Sequence, residues 1–348
     1  MVKYVLKRIG LAFITATIII SATFITVKLL PFSVPAFKDN QMFAFFEKQV
    51  NLGYIEDLKV PDPERGKPLW TYTTGQGSTR LTHNYYEVPI LEQYFNWIKN
   101  IVTKWDWGTS TEISPNLSAI KIIGQKLPYT IKVNIWAVFI SVPLGILLGI
   151  WAALKKNSMT DHIISTGVMI FISIPSFVII TFLMLIFCYK LQWLPTKWPS
   201  SSSPLNIRAL GYILPVACLS FGSIAGYCRF TRAELCEVMS SDYLLLARTK
   251  GLTKKQSILR HALRNAMVPI VPAILAEFIG VLGGSMILEN LYGIPGIGRL
   301  YINSISLKDY NVLLVDMAVF TTIGLLSGVL LDISYGFIDP RIRMGAKK

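Results

Sequence analysis

The stretch SSDYLLLARTKGLTKKQSILRHALRNAMVP, residues 240–269, decides how the rest of the chain is read. Asp242 stands at a helix start and apolar residues come after it. Gly251 sits where a left-handed residue ends that helix. Thr253 and Gln256 then form T-x-x-Q, a capping box that opens a second helix. Ile258, Leu259, Ala262, Leu263 and Ala266 recur at helical spacing on one face. Lys254, Lys255, Arg260, Arg264 and Asn265 occupy the other. A short basic loop between membrane spans usually does no more than orient a protein. Two capped helices with an apolar stripe ask for something else, namely a partner that grips them.

The flanking sequence places this loop in a membrane protein. Hydrophobic residues make up 52% of the chain and charged residues 16%, and a spanning helix needs about 20 mostly apolar residues. Six stretches qualify, at 9–30, 129–154, 162–189, 209–229, 267–290 and 311–334. With the N-terminus inside, the inner segments collect Lys3, Lys7, Arg8, Lys155, Lys156, Arg229, Arg232, Arg248, Lys250, Lys254, Lys255, Arg260 and Arg264. The tail adds Arg341, Arg343, Lys347 and Lys348, against the acids Asp161, Glu234, Glu237, Asp242 and Asp339. In the outer segment 31–128 the two signs nearly balance. This asymmetry puts both termini in the cytoplasm. The net charge of +14 is thus mainly a topology signal, and its dispersal among membrane loops excludes a nucleic-acid footprint. The first span is longer than a signal-peptide core and lacks an A-x-A-like site, so it reads as an uncleaved anchor. Lys28 is expected to snorkel to the outer interface.

Packing signals lie within the spans. Gly145/Gly149, Gly222/Gly226, Gly280/Gly284 and Gly324/Gly328 each form G-x-x-x-G, which lets helix backbones approach closely. Pro143, Pro175, Pro215, Pro269 and Pro272 are expected to bend the bundle or to flank a moving pathway. Glu277 and Asp316 lie deep enough to serve a polar pathway or an inter-helix hydrogen bond. Asp332 lies near the inner interface. Pro175 and Ser285 join Glu277 and Asp316 as candidate pathway residues. Cys188, Cys218, Cys228 and Cys236 read as packing residues, and His83, His162 and His261 make no metal spacing.

Outside the spans, 61–82 is rich in turn formers and reads as irregular. From 87 to 104, Ile90, Leu91, Tyr94, Phe95, Ile98, Ile101 and Val102 keep helical spacing, for a helix that lies on the membrane, caps the outer mouth or packs in an outer subdomain. The loop LQWLPTKWPSSSSPLNIR carries interfacial aromatics and a serine tract. The glycines of ENLYGIPGIGRLYINSISLKDYN do not come after a strand and lead into a helix, which rejects a dinucleotide fingerprint.

The loop 240–269 resembles the cytoplasmic coupling loop of bacterial ABC importer permeases. Their general motif is Glu-Ala-Ala, three residues, then Gly; here Leu245-Leu246-Ala247 and Gly251 stand in its place, so only the second alanine and the glycine match. The oligopeptide/dipeptide branch is a closer likeness. It is similar at DYLLLARTKGL, RHALRNAMVP, ENLYGIPGIGRLYINSISLKDYNVL, WGTS (107–110), KLPYTIKVN and the closing DPRIR, in the same order along the chain. The likeness is weakest over 33–82, which reads as an extra outer insertion.

The resemblance implies an all-α membrane protein with six transmembrane helices and the type I importer (MetI-like) permease fold, carrying a large extracytoplasmic insertion between helices 1 and 2. Its parts would be the N-terminal end with the first helix (1–30), the extracytoplasmic region (31–128), the core permease domain (129–340, coupling loop about 240–266) and a cytoplasmic tail (341–348). It implies a non-enzymatic B-type subunit in the cell membrane, working with a homologous second permease, two ABC ATPases and an extracytoplasmic solute-binding protein, for a peptide substrate. ATP and Mg would bind the ATPases, since this chain has no G-x-x-x-x-G-K-[ST] loop. Asp242, Ala247, Lys250, Gly251, Leu252, Ile258, Leu259, His261, Leu263, Arg264 and Asn265 would form the ATPase-coupling loop. In particular, Ile258, Leu259, Ala262 and Leu263 would supply the apolar contact buried in the ATPase. A same-family importer of nickel or metal chelates is the alternative, and an ion-coupled secondary transporter using Glu277 and Asp316 a more distant one.

Overall fold

A computed structural model describes residues 2–30, 34, 37–75, 80–280 and 283–338, without the side chains of 2–4, 254–255 and 335–338. The tail charges, the closing DPRIR and the side chains of Lys3, Lys254 and Lys255 therefore lie outside the described residues. In chain order the first elements are α1 (Val2–Lys28), α2 (Asp39–Asn51), β1 (Ile55–Leu58), β2 (Trp70–Thr74), β3 (Leu81–Glu87) and α3 (Ile90–Lys104). Then come α4 (Ala119–Leu154), α5 (Met159–Ser173), α6 (Ser176–Leu183), α7 (Leu205–Met239), α8 (Asp242–Thr249) and α9 (Lys254–Ser257). The last are α10 (Leu263–Gly280), α11 (Met286–Tyr292), α12 (Ile297–Ser306) and α13 (Tyr310–Ile338). Wide π turns extend α6 over Met184–Lys190 and join α9 to α10 over Ile258–Ala262.

Two compact units result, and α1, α4, α12 and α13 supply residues to both. The first unit comprises 14–125 and 301–321. Its sheet is antiparallel with order β1-β3-β2, and β3 is paired on both sides through Ile55↔Glu87 and Trp70↔Tyr85. The sheet corrects the reading of 61–82 as irregular: WTYTT is rich in the β-branched and aromatic residues that favour strands. Phe46 of α2 stacks on Tyr85 at 4.7 Å and on Trp70 at 5.2 Å, closing a core with Met42, Phe45 and Ile55. A second core joins Phe24 and Val27 of α1 to Tyr54, Trp97 of α3, and Leu313 and Leu314 of α13. Lys28, expected at the interface, lies over the rings of Phe24 and Tyr54, 5.8 and 5.4 Å from their centroids. Burial pushes the Tyr54 hydroxyl up to about 12, partly offset by a hydrogen bond from Asn100.

The second unit comprises 1–13, 126–300 and 322–348, with α7 at its centre, packed against α5, α6 and α10. Gly145 and Gly149 bring α4 onto α7. A Cβ on Gly145 would lie 2.6 Å from Tyr227 Cβ, and one on Gly149 2.7 Å from the Cys228 carbonyl. The other three glycine pairs do not act this way within the chain. Gly222, Gly226, Gly280, Gly324 and Gly328 meet nothing within 4 Å among the described residues, and Gly284 lies past the end of its helix.

Among the described residues, five helices are long and apolar enough to cross a membrane, and a bent pair makes a sixth candidate. That pair, Met159–Ser173 and Ser176–Lys190, turns by 100° where a straight span at 162–189 was expected. Pro175 has no N–H to continue the ladder and holds Ile174 in extended backbone, so the helix stops there. Pro143, Pro215, Pro269 and Pro272, by contrast, lie inside unbroken helices. The expected span 267–290 is also shorter: α10 ends at Gly280, and α11 is a separate helix.

Candidate functional site

The loop between α7 and α10 has the two expected caps. Helix α8 ends in a Schellman motif: Gly251 has φ +95°, its N–H donates to the Arg248 carbonyl at 3.0 Å, and the Leu252 N–H to Ala247 at 3.4 Å. The capping box is reciprocal. The Thr253 N–H donates to Gln256 Oε1 at 3.1 Å and the Gln256 N–H to Thr253 Oγ1 at 3.3 Å. The capped helix is not a short element set beside a span. It begins at Lys254, runs through the π turn into α10 and ends at Gly280. Asn265 Nδ2 ties it back to α8 by donating to Tyr243 Oη at 2.8 Å.

The apolar stripe divides differently from the expectation. Ile258 (6% exposed), Ala262 and Ala266 are buried in this chain's own core with Ala153, Leu235 and Leu244. Ile258 and Ala262 are thus not free to enter a partner, because α8 and the end of α7 already cover them. Leu259 is 55% exposed, and Tyr243, Leu245 and Leu246 are exposed as well. Around them Asp242, Lys250, Gly251, His261, Arg264 and Asn265 are exposed, while Ala247, Leu252 and Leu263 are half-buried. The available surface is therefore Leu245, Leu246 and Leu259 with a basic and polar rim. The first two are the positions at which the sequence departs from Glu-Ala.

The four candidate pathway residues do not form one cluster. Glu277 on α10 accepts a hydrogen bond from Ser223 Oγ on α7 at 2.6 Å and also bonds Tyr227, the inter-helix role. Asp316 is fully buried and belongs to the other unit. Pro175 sits at the 100° bend and lines a cavity of about 710 Å³ with Phe171, Cys218, Gly222, Gly226 and Arg229. Ser285 caps α11 in extended backbone, and its N–H points to the Glu289 carboxylate. Asp332 pairs with Arg8 at 3.1 Å.

Sequence reading passed over three buried carboxylates that organise the units. Glu289 (2% exposed) accepts from Thr130 Oγ1 at 2.8 Å, from the Arg299 N–H at 3.2 Å, and from the N–H groups of Ser285 and Gly298. Thr130 in turn accepts from the Ile297 N–H at 3.0 Å. KLPYT on α4 is thereby pinned to EN-x₃-IPGIGR. Gly296 is without a side chain because a Cβ there would collide with Glu289 Oε2 and Thr130 Oγ1. Asp309, fully buried in the other unit, accepts from Ser110 Oγ at 2.5 Å and from the N–H groups of Glu112 and Ile113. This bond joins WGTS to SLKDY across 199 residues. Asp161 takes both ends of the Arg232 guanidinium at 2.6 and 2.7 Å, so Arg232 is an α5–α7 tie as well as a topology charge. The visible signals were an acid beside the glycine spacing G-x-x-G-x-G and an acid after a helix end, neither of which has a period.

In the region between the first two spans, Glu47, Asp57 and His83 bring metal-ligand atom types within 4.8 Å of one another, a grouping that sequence spacing does not reveal. The cation there is Lys59, whose Nζ lies 2.6 Å from Asp57 Oδ2 and 3.0 Å from His83 Nδ1, while Tyr85 donates to Glu47 at 3.1 Å. Burial works to raise the Asp57 carboxyl. Its hydrogen bonds to Lys59 and His83 outweigh that and hold it below the usual carboxylate range.

The profile of the family described as "Binding-protein-dependent transport system inner membrane component" matches residues 145–344. The chain is 33% identical over 348 residues, 99% of its length and all of the relative's, to the dipeptide transport system permease protein DppB of Lactococcus lactis subsp. cremoris. It is 29% identical to DppB of Bacillus subtilis over the full length of both chains. It is 36% identical over 256 residues, 73% of this chain and 81% of the relative, to the oligopeptide transport system permease protein OppB of Escherichia coli K12. With a profile covering more than half of its residues and a one-third-identical relative along almost all of them, the chain belongs to the binding-protein-dependent transport system inner membrane component family.

Proposed function

We propose that this chain is one of two permease subunits of an ATP-driven importer of short peptides, and that the loop 242–265 is where a cytoplasmic ATPase grips it. The observation that carries this is the exposed apolar surface of Leu245, Leu246 and Leu259 on two capped helices, one continuous with the span α10. A push on α9 reaches α10 without crossing a break in the helix, and one on α8 reaches it through the Tyr243–Asn265 hydrogen bond and the shared core. Glu277, bonded to Ser223, passes it to α7. The two permeases would alternate between inward- and outward-open states, fed by an extracytoplasmic binding protein. The dipeptide and oligopeptide permeases among its relatives support a peptide as cargo. ATP and Mg would sit on the ATPases, in keeping with the lack of a G-x-x-x-x-G-K-[ST] sequence here. Both termini would lie on the ATPase side, as the distribution of Lys and Arg favours.

The test is a pull-down in mild detergent with a C-terminal tag and identification of the bound chains by mass spectrometry. The expected catch is a second permease and two ATPases, with peptide uptake in vesicles that needs ATP. Recovery of this chain alone, with uptake that persists without ATP, would overturn the proposal.

A further inference from the structure

Helix α3 carries a feature that coupling to an ATPase leaves unused. It has three faces rather than two. Gln93, Trp97 and Asn100 are buried in the unit's core. Glu92, Lys99 and Thr103 are exposed and polar. Between them runs a third strip of Leu91, Phe95 and Val102, apolar and 67–79% exposed, with half-buried Ile98 in line. Residues 91, 95, 98 and 102 are spaced by four, three and four, so they stack on one side of the helix. A helix at the edge of a water-soluble domain has no use for such a strip.

The anchoring of α3 says what covers it. Tyr94, next to the strip on its buried side, shares a 2.6 Å hydrogen bond with Ser21 of α1, and Phe24 of α1 packs on Tyr94 and Trp97 at 5.6 and 4.8 Å. Helix α1 is a membrane-crossing candidate whose own face of Ile14, Ile18 and Ile25 is exposed, as is Leu29 just past its end. Ser21 lies seven residues inside Lys28, the end of that helix, which at about 1.5 Å per residue is roughly 10 Å below it. The contact side of α3 is thus level with apolar surface that α1 gives to lipid, and its apolar strip continues that surface. Trp105, 66% exposed, closes the helix in a left-handed C-cap, a residue suited to the headgroup layer. The order of faces around the helix is protein, apolar, polar, as for a helix lying flat against a span in the interface.

We propose that α3 is an interfacial helix, with Leu91, Phe95, Ile98 and Val102 seated in the lipid bilayer beside the Lys28 end of α1 and Lys99 and Thr103 facing water. The proposal requires only that α1 spans the membrane, and it stands whether the cargo is a peptide or not.

The test places a photo-crosslinking benzoylphenylalanine at 91, 95, 98, 102, 99 or 103 of the full chain, co-expressed with its partners and reconstituted in phospholipid nanodiscs. Adducts are read by mass spectrometry. Only variants that retain the wild-type melting temperature are scored, which removes misfolded chains from the comparison. The expected result is phospholipid adduct at 91, 95, 98 and 102, several-fold above that at 99 and 103. Adducts to a protein chain at the apolar positions would overturn the proposal in favour of a binding protein or permease on this face. Equal lipid adduct on both faces, or none on either, would overturn it as well.

Discussion

At the scale of single residues the structure is organised by buried carboxylates. Each accepts hydrogen bonds from side chains or backbone N–H groups that burial would otherwise leave unsatisfied. Removing the acceptor exposes the cost: Glu289→Ala strands the Thr130 hydroxyl and three backbone N–H groups. The expected loss is about 3 kcal/mol or more, read as a lowered melting temperature in detergent. Glu289→Gln, which keeps one acceptor oxygen, should fall between wild type and Ala. The Asp57 carboxyl gives a pH-dependent case. Its folded pKa lies below the ordinary 3.8, so it favours the folded state fully above that value. That contribution is lost as pH falls through the lowered folded value. Protease resistance of the region 39–104 should therefore drop on acidification below pH about 4, and Asp57→Asn should start lower and show a flatter decline.

At the scale of elements the question is which surfaces meet within the chain. Gly149 is in contact with α7 and Gly328 is exposed, so the same substitution separates the two. Gly149→Leu should force α4 from α7 and cost about 2 kcal/mol or more, whereas Gly328→Leu should leave the melting temperature of the isolated chain unchanged. The coupling loop divides in the same manner. Ile258→Asp would place a charge in the core with Leu235 and Leu244 and should abolish folding. Leu259→Asp alters only an exposed position. It should leave the melting temperature intact while the ATPases disappear from the pull-down. Retention of the ATPases by a folded Leu259→Asp chain would remove that residue from the contact surface.

At the scale of the molecule the fold is the type I importer permease fold, mostly helical and multi-pass, with a region between its first two spans that contains a small antiparallel sheet. The sheet has its own aromatic core around Phe46, Trp70 and Tyr85. A second core ties α1 and α3 to the start of α13. Residues 14–125 and 301–321 therefore form a unit although they lie far apart in sequence, and Asp309 with Ser110 is one of its links.

The sequence by itself determined four of the six spans, the caps of the loop and the family, whereas the bend at Pro175 and the end of α10 at Gly280 came from the structure. Hydropathy, T-x-x-Q and Gly251 act over a few neighbouring residues, so their physics is complete in a local window. The helix spacing of 90–102 was legible for the same reason. Tertiary structure decided which side of each pattern is covered. Periodicity marks Ile258 and Leu259 alike as apolar, yet α7 and α8 bury the first and leave the second exposed. It cannot tell that Glu289 finds a donor 159 residues away at Thr130, or that, among the described residues, Gly145/Gly149 is the one G-x-x-x-G pair of four at which both glycines pack two helices of this chain together. Burial and hydrogen-bond partnership are properties of pairs of distant segments, and they exist only once the chain has brought those segments together.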